Sequence, residues 1–151
     1  MDDEPSAGGF VGREHKLAVR VYYEDTDFTG VVYHASYVRF FERGRTDGLR
    51  VLGIGHAQLL ERPDPCAFTV TRLAVEFVKP ARIDDALVVR TLFEATKGPR
   101  LFIRQRITRG ADEIASAEVE AACIRPDGRA RRPPAEMDSL IRPYLRNTPL
   151  S

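Results

Sequence analysis

This 151-residue chain has no tryptophan, two cysteines, two methionines and three histidines. Cys66 and Cys123 are too few for a disulfide framework, and their spacing fits no metal motif. Their neighbours read as strand, so both are expected to be small buried hydrophobes rather than reactive thiols. No His/Cys/acid spacing suggests a metal site, so neither metal nor cofactor is expected. An excess of one charge is also lacking: 23 Lys and Arg against 22 Asp and Glu leave +1. That balance gives no case for a nucleic-acid partner or for general attraction to an anionic membrane. No apolar run approaches membrane-spanning length, and the N-terminus lacks a signal peptide's basic start and apolar middle. A cytoplasmic location with reduced thiols is the expectation.

What is present suits a folded domain. Hydrophobic residues make up 43% and charged residues 30%, ordinary values for a globular protein. The length allows one domain with a substantial core. Met1–Gly12 is acidic and then glycine-rich, so residues 1–14 are expected to be a flexible lead-in and 15–147 a single domain. Leu17–Tyr23 alternates as a strand. Tyr37–Leu52 is the best helix, with Ser36 as candidate N-cap and Gly53 as stop. At about 100° per residue, Tyr37, Phe41, Gly44, Gly48 and Leu52 share one face. So wide an apolar arc implies burial against a sheet. Gly44 and Gly48 each cost about 1 kcal/mol of helix propensity, and one turn apart they let a strand layer approach closely. Arg45 falls inside the arc, where it either snorkels or is paired.

Strands are expected over Phe68–Val78, Leu87–Phe93, Leu101–Ile107 and Ile114–Ile124. Turn signals stand at Asp84-Asp85, Lys97-Gly98-Pro99 and Gly110–Asp112. A short helix over Ala135–Leu145 follows Pro133-Pro134. One strand face, Ala115, Ala117, Val119, Ala121 and Cys123, is small enough to take a close-packed helix. The order argues an α+β domain, an antiparallel sheet of about five strands wrapped around one long central helix. One helix does not cover such a sheet, so a homodimer or homotetramer is expected.

The chemistry concentrates in Tyr23–His34. Glu24, Asp25 and Asp27 precede Gly30 and the long helix. An acid beside free amides at a helix N-terminus can attack an acyl carbon while those amides hold its oxygen. The plainer reading is a loop carboxylate capping nearby amides. An ordinary Asp, with pKa about 3.9, is ionised but a feeble base unless burial or crowding raises it. It can instead attack directly and form a mixed anhydride. The residues alone leave both routes open. Arg125, Arg129, Arg131, Arg132, Arg142 and Arg146 form either a solvated basic tail or an attraction for phosphate. His15 and His56 look incidental.

With these residues placed, the chain resembles a hotdog-fold acyl-CoA thioesterase of the 4-hydroxybenzoyl-CoA thioesterase type. Within that type it is most similar to the bacterial subgroup associated with the Tol–Pal envelope system. The resemblance rests on Val19-Arg20-Val21-Tyr22-Tyr23-Glu24-Asp25-Thr26-Asp27 and on Gly30-Val31-Val32-Tyr33-His34-Ala35-Ser36-Tyr37. Glu42-Arg43, Arg45-Thr46, Val75-Glu76-Phe77, Pro80-Ala81-Arg82 and Asp84-Asp85 add to it. It implies hydrolysis of an acyl-CoA thioester to free acid and CoA at a dimer interface, without metal. The family's catalytic carboxylate falls on Asp27, and its carbonyl-polarising amide falls at His34. Gly30, Val32 and Tyr33 would position the substrate and the oxyanion site. Phe28 and Thr29 depart from the small residues or proline usual before the glycine, so substrate preference does not carry over. Arg100, Arg129 and Arg131 are candidates for the CoA phosphates. An acyl carrier protein is a second candidate carrier. The rival readings are a non-hydrolytic acyl-CoA or acyl-carrier-protein binding module, or an interaction protein docking at the cell envelope.

Overall fold

The computed structural model describes residues 3–147. Six strands form a single antiparallel sheet: β1 (Gly9–Val11), β2 (Glu14–Arg20), β3 (Ala67–Phe77), β4 (Ala86–Lys97), β5 (Arg100–Arg109) and β6 (Asp112–Ile124). Their order across the sheet is β1-β2-β4-β5-β6-β3. The helix α1 (His34–Val51) lies against one face, and two short helices, α2 (His56–Glu61) and α3 (Ala135–Ile141), cap the region beyond its C-terminus. This is the expected α+β architecture with a sixth, short strand.

The extra strand falls inside the segment read as lead-in. Residues Gly9–Val11 pair with β2, and the Gly8 amide donates to Asp47 Oδ2 at 2.8 Å. Beneath them His15 is fully buried and its Nε2 meets the same carboxylate oxygen at 2.7 Å. His15 is therefore a core residue and not an incidental one. It ties β2 to α1, and Phe10 covers its ring edge-on at 5.2 Å.

The helix begins at His34, three residues before the expected start. Its N-cap is Tyr33, in extended conformation and without a side-chain cap, so no capping residue marks the boundary. Ser36 is buried inside the first turn. Two glycines set the distance between helix and sheet. A Cβ on Gly44 would stand 2.6 Å from Val89 Cγ1, and one on Gly48 3.2 Å from the Phe93 ring. Around them Phe40, Phe41, Leu87, Val89, Phe93, Ile107 and Ala115 are buried in one continuous core. Cys66 and Cys123 are buried and free. Burial, then the neighbouring Cys66, pushes the Cys123 thiol up to about 12, so it is not a nucleophile at neutral pH.

The outer face of the sheet carries charge ladders, which explains the strand arginines. Arg104 meets Glu94 at 3.2 Å and Glu118 at 3.1 Å, and Arg90 meets Glu14 at 2.9 Å. The edge strand β3 pairs with β6 alone. Its register puts Phe77, Val75, Leu73, Val70 and Phe68 opposite Ala115, Ala117, Val119, Ala121 and Cys123. Those β6 residues are buried under the helix. The row on β3 thus faces the helix side too, yet Phe77, Leu73 and Val70 are 55%, 40% and 45% exposed.

Candidate active site

The site is built by the chain's turn from β2 into α1. Strand β2 ends at Arg20, and Tyr23–Asp25 form a single 3-10 turn. A bridge between Thr26 and Val32 then closes a tight loop. Gly30 makes that loop with φ of +80°, a conformation glycine adopts without strain. The loop is anchored from a second segment: Val31 bridges Arg82, and the Ile83 amide donates to Gly30 O at 3.0 Å. The Ala81 amide donates to the Tyr37 hydroxyl at 3.0 Å. Residues read as a turn and a helix face in the sequence therefore brace each other.

The three acids have different fates. Asp25 is buried; its carboxylate accepts the Tyr22 amide at 2.8 Å and its carbonyl accepts the Tyr33 amide at 2.9 Å. It holds the turn. Glu24 is exposed. Asp27 is exposed on the loop, and its Oδ1 accepts both the Thr29 amide at 2.8 Å and the Thr29 hydroxyl at 2.6 Å. The Thr29 hydroxyl, then the Thr29 amide, holds the Asp27 carboxyl below the usual carboxylate range. Raised basicity through crowding by Glu24 and Asp25 is thereby corrected, since these bonds stabilise the charged form. Both Thr29 bonds fall on Oδ1, and the Val31 backbone adds a smaller pull on the carboxylate in the same direction. Phe28 is 100% exposed, so within one chain it narrows no pocket.

The amides need a correction as well. Val32 N–H is spent on Ala81 O at 2.8 Å and Tyr33 N–H on Asp25 O at 2.9 Å. Neither can receive a substrate oxygen. The N–H groups of His34 and Ala35, in the first helical turn, have no partner among the described residues. Donors are free there because a helix leaves its first amides unpaired. The His34 ring packs at a tilt against Tyr33 with centroids 4.3 Å apart. Val32 and Tyr33 thus fix the backbone, and His34 with Ala35 offers the donors. The sequence could have signalled Ala35 only through the helix start, which lacks a capping residue.

The candidate CoA arginines do not come together. Arg131 bonds Asp64 at 2.6 Å and the Arg132 carbonyl at 2.9 Å. Arg129 is exposed beside Asp127. Arg100 lines a cavity of about 480 Å³ with Arg132 and Arg142, at the Phe68 end of β3. That cavity and a second of about 690 Å³ on the outer sheet face are lined by neither Asp27 nor His34. Among the described residues, no group of three or more His, Cys, Asp and Glu could hold a metal. No helix among them is long and apolar enough to cross a membrane.

Asp27 is an exposed carboxylate held below its usual range, and the first turn of α1 holds two unpartnered amides, groups that acyl transfer can use. Comparisons with known proteins agree. Residues 21–142 match the model of the thioesterase-like superfamily. The chain is 45% identical over 106 residues to an acyl-CoA thioesterase YbgC of Haemophilus influenzae, covering 70% of this chain and 77% of that one. It is 44% identical over 109 residues to an acyl-CoA thioester hydrolase YbgC of Escherichia coli, covering 72% and 80%. The crystal structure of a probable thioesterase from Bartonella henselae superposes with a TM-score of 0.78 at 40% identity, over 80% of this chain and 99% of that one. The chain belongs to the thioesterase-like superfamily.

Proposed function

We propose that this chain is an acyl-CoA thioesterase, releasing free carboxylic acid and CoA, with Asp27 as its carboxylate. The observation that supports the reading is one loop, closed by the Thr26–Val32 bridge, that carries the exposed Asp27 carboxylate and leads into the first turn of α1, where the His34 and Ala35 amides are unpartnered. The relatives named above act on acyl-CoA thioesters, and this chain shares their family.

In this reading the thioester carbonyl oxygen lies against the first turn of α1. One preorganised donor there contributes about 2.7–4 kcal/mol to stabilising a developing oxyanion, and the positive end of the helix dipole adds to it. A carboxylate held below the usual pKa range is a weak base that stays ionised through the neutral range, which favours direct attack. Asp27 Oδ2 bonds to the acyl carbon, the C–S bond breaks, and CoA leaves as thiolate. Water then cleaves the mixed anhydride and restores the carboxylate. A thiolate needs little help from an acid to depart.

The working unit is a homodimer or a larger homo-oligomer, since Asp27 stands on an open face and β3 is an unpaired edge. Two buried free cysteines and a CoA-linked substrate favour a cytoplasmic location. An acyl carrier protein is an alternative thioester donor; acyl-CoA and acyl-carrier-protein thioesters assayed together rank the two. The central test is Asp27→Asn with thiol release as readout. The expected outcome is a fall in kcat on the order of 10³ with an unchanged thermal melt. Turnover close to wild type would remove Asp27 from the chemistry.

A further inference from the structure

Along α1 the i, i+4 row Tyr37, Phe41, Arg45 and Leu49 points toward β3, and Arg45 is its one charge. The Arg45 guanidinium is half-buried. Its Nη1 donates to Gln105 Oε1 at 3.2 Å, and no carboxylate among the described residues lies within ion-pair distance. Gln105 is itself pinned: its Nε2 donates to the Phe41 carbonyl and to Thr91 Oγ1, each at 2.9 Å. Arg45 is therefore held by a prearranged acceptor while most of its donors stay unused. Burial pulls its pKa down, and the nearby Glu42 charge pulls it up. Glu42 does not pair with it; its Oε1 accepts the Thr46 hydroxyl at 2.8 Å.

Both side chains border a cavity of about 130 Å³ whose floor is Leu49, Phe68, Leu101, Ile103 and Ala121. His56 and Thr69 complete its polar rim. An apolar row leads toward this cavity: from the Phe77 contact with Tyr37, centroids 5.6 Å apart and one turn from His34, it runs through Val75 and Leu73 along β3 to Val70, which lines the cavity. Eleven residues of helix separate His34 from Arg45, about 16 Å of rise. An extended acyl chain of about a dozen carbons covers that distance from the thioester carbon.

We infer that the Arg45 cavity is a subsite for the far end of the acyl group and selects chains ending in a hydroxyl. A carboxylate end would meet both Arg45 and Glu42, with little net attraction. A hydroxyl accepts from Arg45 and donates to Glu42, so each charged group gains a hydrogen bond. The inference rests on the thioester-hydrolysis reading, and hydrolysis of the plain chain, measured in parallel, separates the two failures.

The test compares 12-hydroxydodecanoyl-CoA with dodecanoyl-CoA by thiol release in wild type, Arg45→Met and Glu42→Ala. Wild type is expected to favour the hydroxylated chain in kcat/KM by about tenfold. Arg45→Met is expected to abolish that preference while retaining turnover of the plain chain. Glu42 is exposed, so Glu42→Ala tests the same subsite even where the helix variant folds poorly; it should cut the preference several-fold. Equal rates on the two substrates in wild type, or an undiminished preference in Glu42→Ala, would overturn the subsite. An equal loss on both substrates with loss of the oligomer in Arg45→Met would make Arg45 an interface residue instead.

Discussion

Asp25 and Asp27 stand two residues apart, and the fold gives them opposite environments. Asp25 is buried and spends its carboxylate on the Tyr22 amide; Asp27 is exposed and its carboxylate accepts chiefly from Thr29. Sequence could pick Asp27 through the family pattern, but it could not foresee Thr29 as the residue that tunes it. The sign of that tuning makes a pH prediction. Because Thr29 lowers the Asp27 pKa, the acid limb of kcat/KM should lie below the ordinary carboxylate range of about pH 4, with no inflection from Asp27 near neutrality. Thr29→Ala removes the first cause of the shift and leaves the Thr29 amide in place. Its acid limb should move up in pH, read from rates between roughly pH 3 and pH 8. A limb that stays where wild type has it would mean that another group limits the acid rate. His15 shows the opposite lesson. Its burial against Asp47 depends on where β1 and β2 meet the helix, and nothing local to either residue announces that.

At the scale of elements, the body of α1 and the strands β3 to β6 were legible because their apolar periods are strong and their turns carry Gly, Pro or Asp pairs. Boundaries were less so. The helix start was hidden by an N-cap with no capping side chain. Three-residue β1 and six-residue α2 are too short for periodicity to register. The two helix glycines were legible as a spacing device, and the contacts rank them. Gly44→Ala places its Cβ 2.6 Å from Val89 Cγ1 and 3.1 Å from both Gln105 Nε2 and Thr91 Oγ1. These atoms belong to the sheet and to the network that holds Arg45, so the overlap forces the helix outward. The expected cost is about 1–3 kcal/mol of overpacking, against a propensity gain of at most about 1 kcal/mol. Gly48→Ala meets the Phe93 ring at 3.2 Å, a looser contact, and should lose less. Urea denaturation of the two variants side by side checks the order; a Gly44→Ala protein as stable as wild type would show that the helix–sheet gap is not set by this glycine.

For the whole molecule the edge strand β3, paired on one side alone, decides the most. It is eleven residues long, contains no proline, and exposes Val70, Leu73 and Phe77 beside its open backbone edge. Proteins blunt such edges with charge, proline or a cover, and β3 has Arg72, Glu76 and a bulge at Thr71. Pairing with a second copy about a two-fold axis satisfies the edge. An antiparallel match would lay the Phe68 end of one β3 along the Phe77 end of the other. Asp27 of one protomer would then approach its partner's Phe68-end cavity, where Arg100, Arg132 and Arg142 stand. The apolar path from Phe77 to Arg45 would be roofed by the same contact, which explains why both halves look incomplete in a single chain. One helix failing to cover one sheet argues for a dimer from the sequence alone, but it points to no edge, because strand order depends on long-range pairing. Leu73→Lys places a charge in the centre of that edge without touching Asp27 or the helix amides. Sedimentation equilibrium should show a dimer in wild type and a predominantly monomeric Leu73→Lys protein, with thioester turnover falling in step with the dimer fraction. A wild-type monomer, or a monomeric variant with full activity, would mean that one chain completes the site alone.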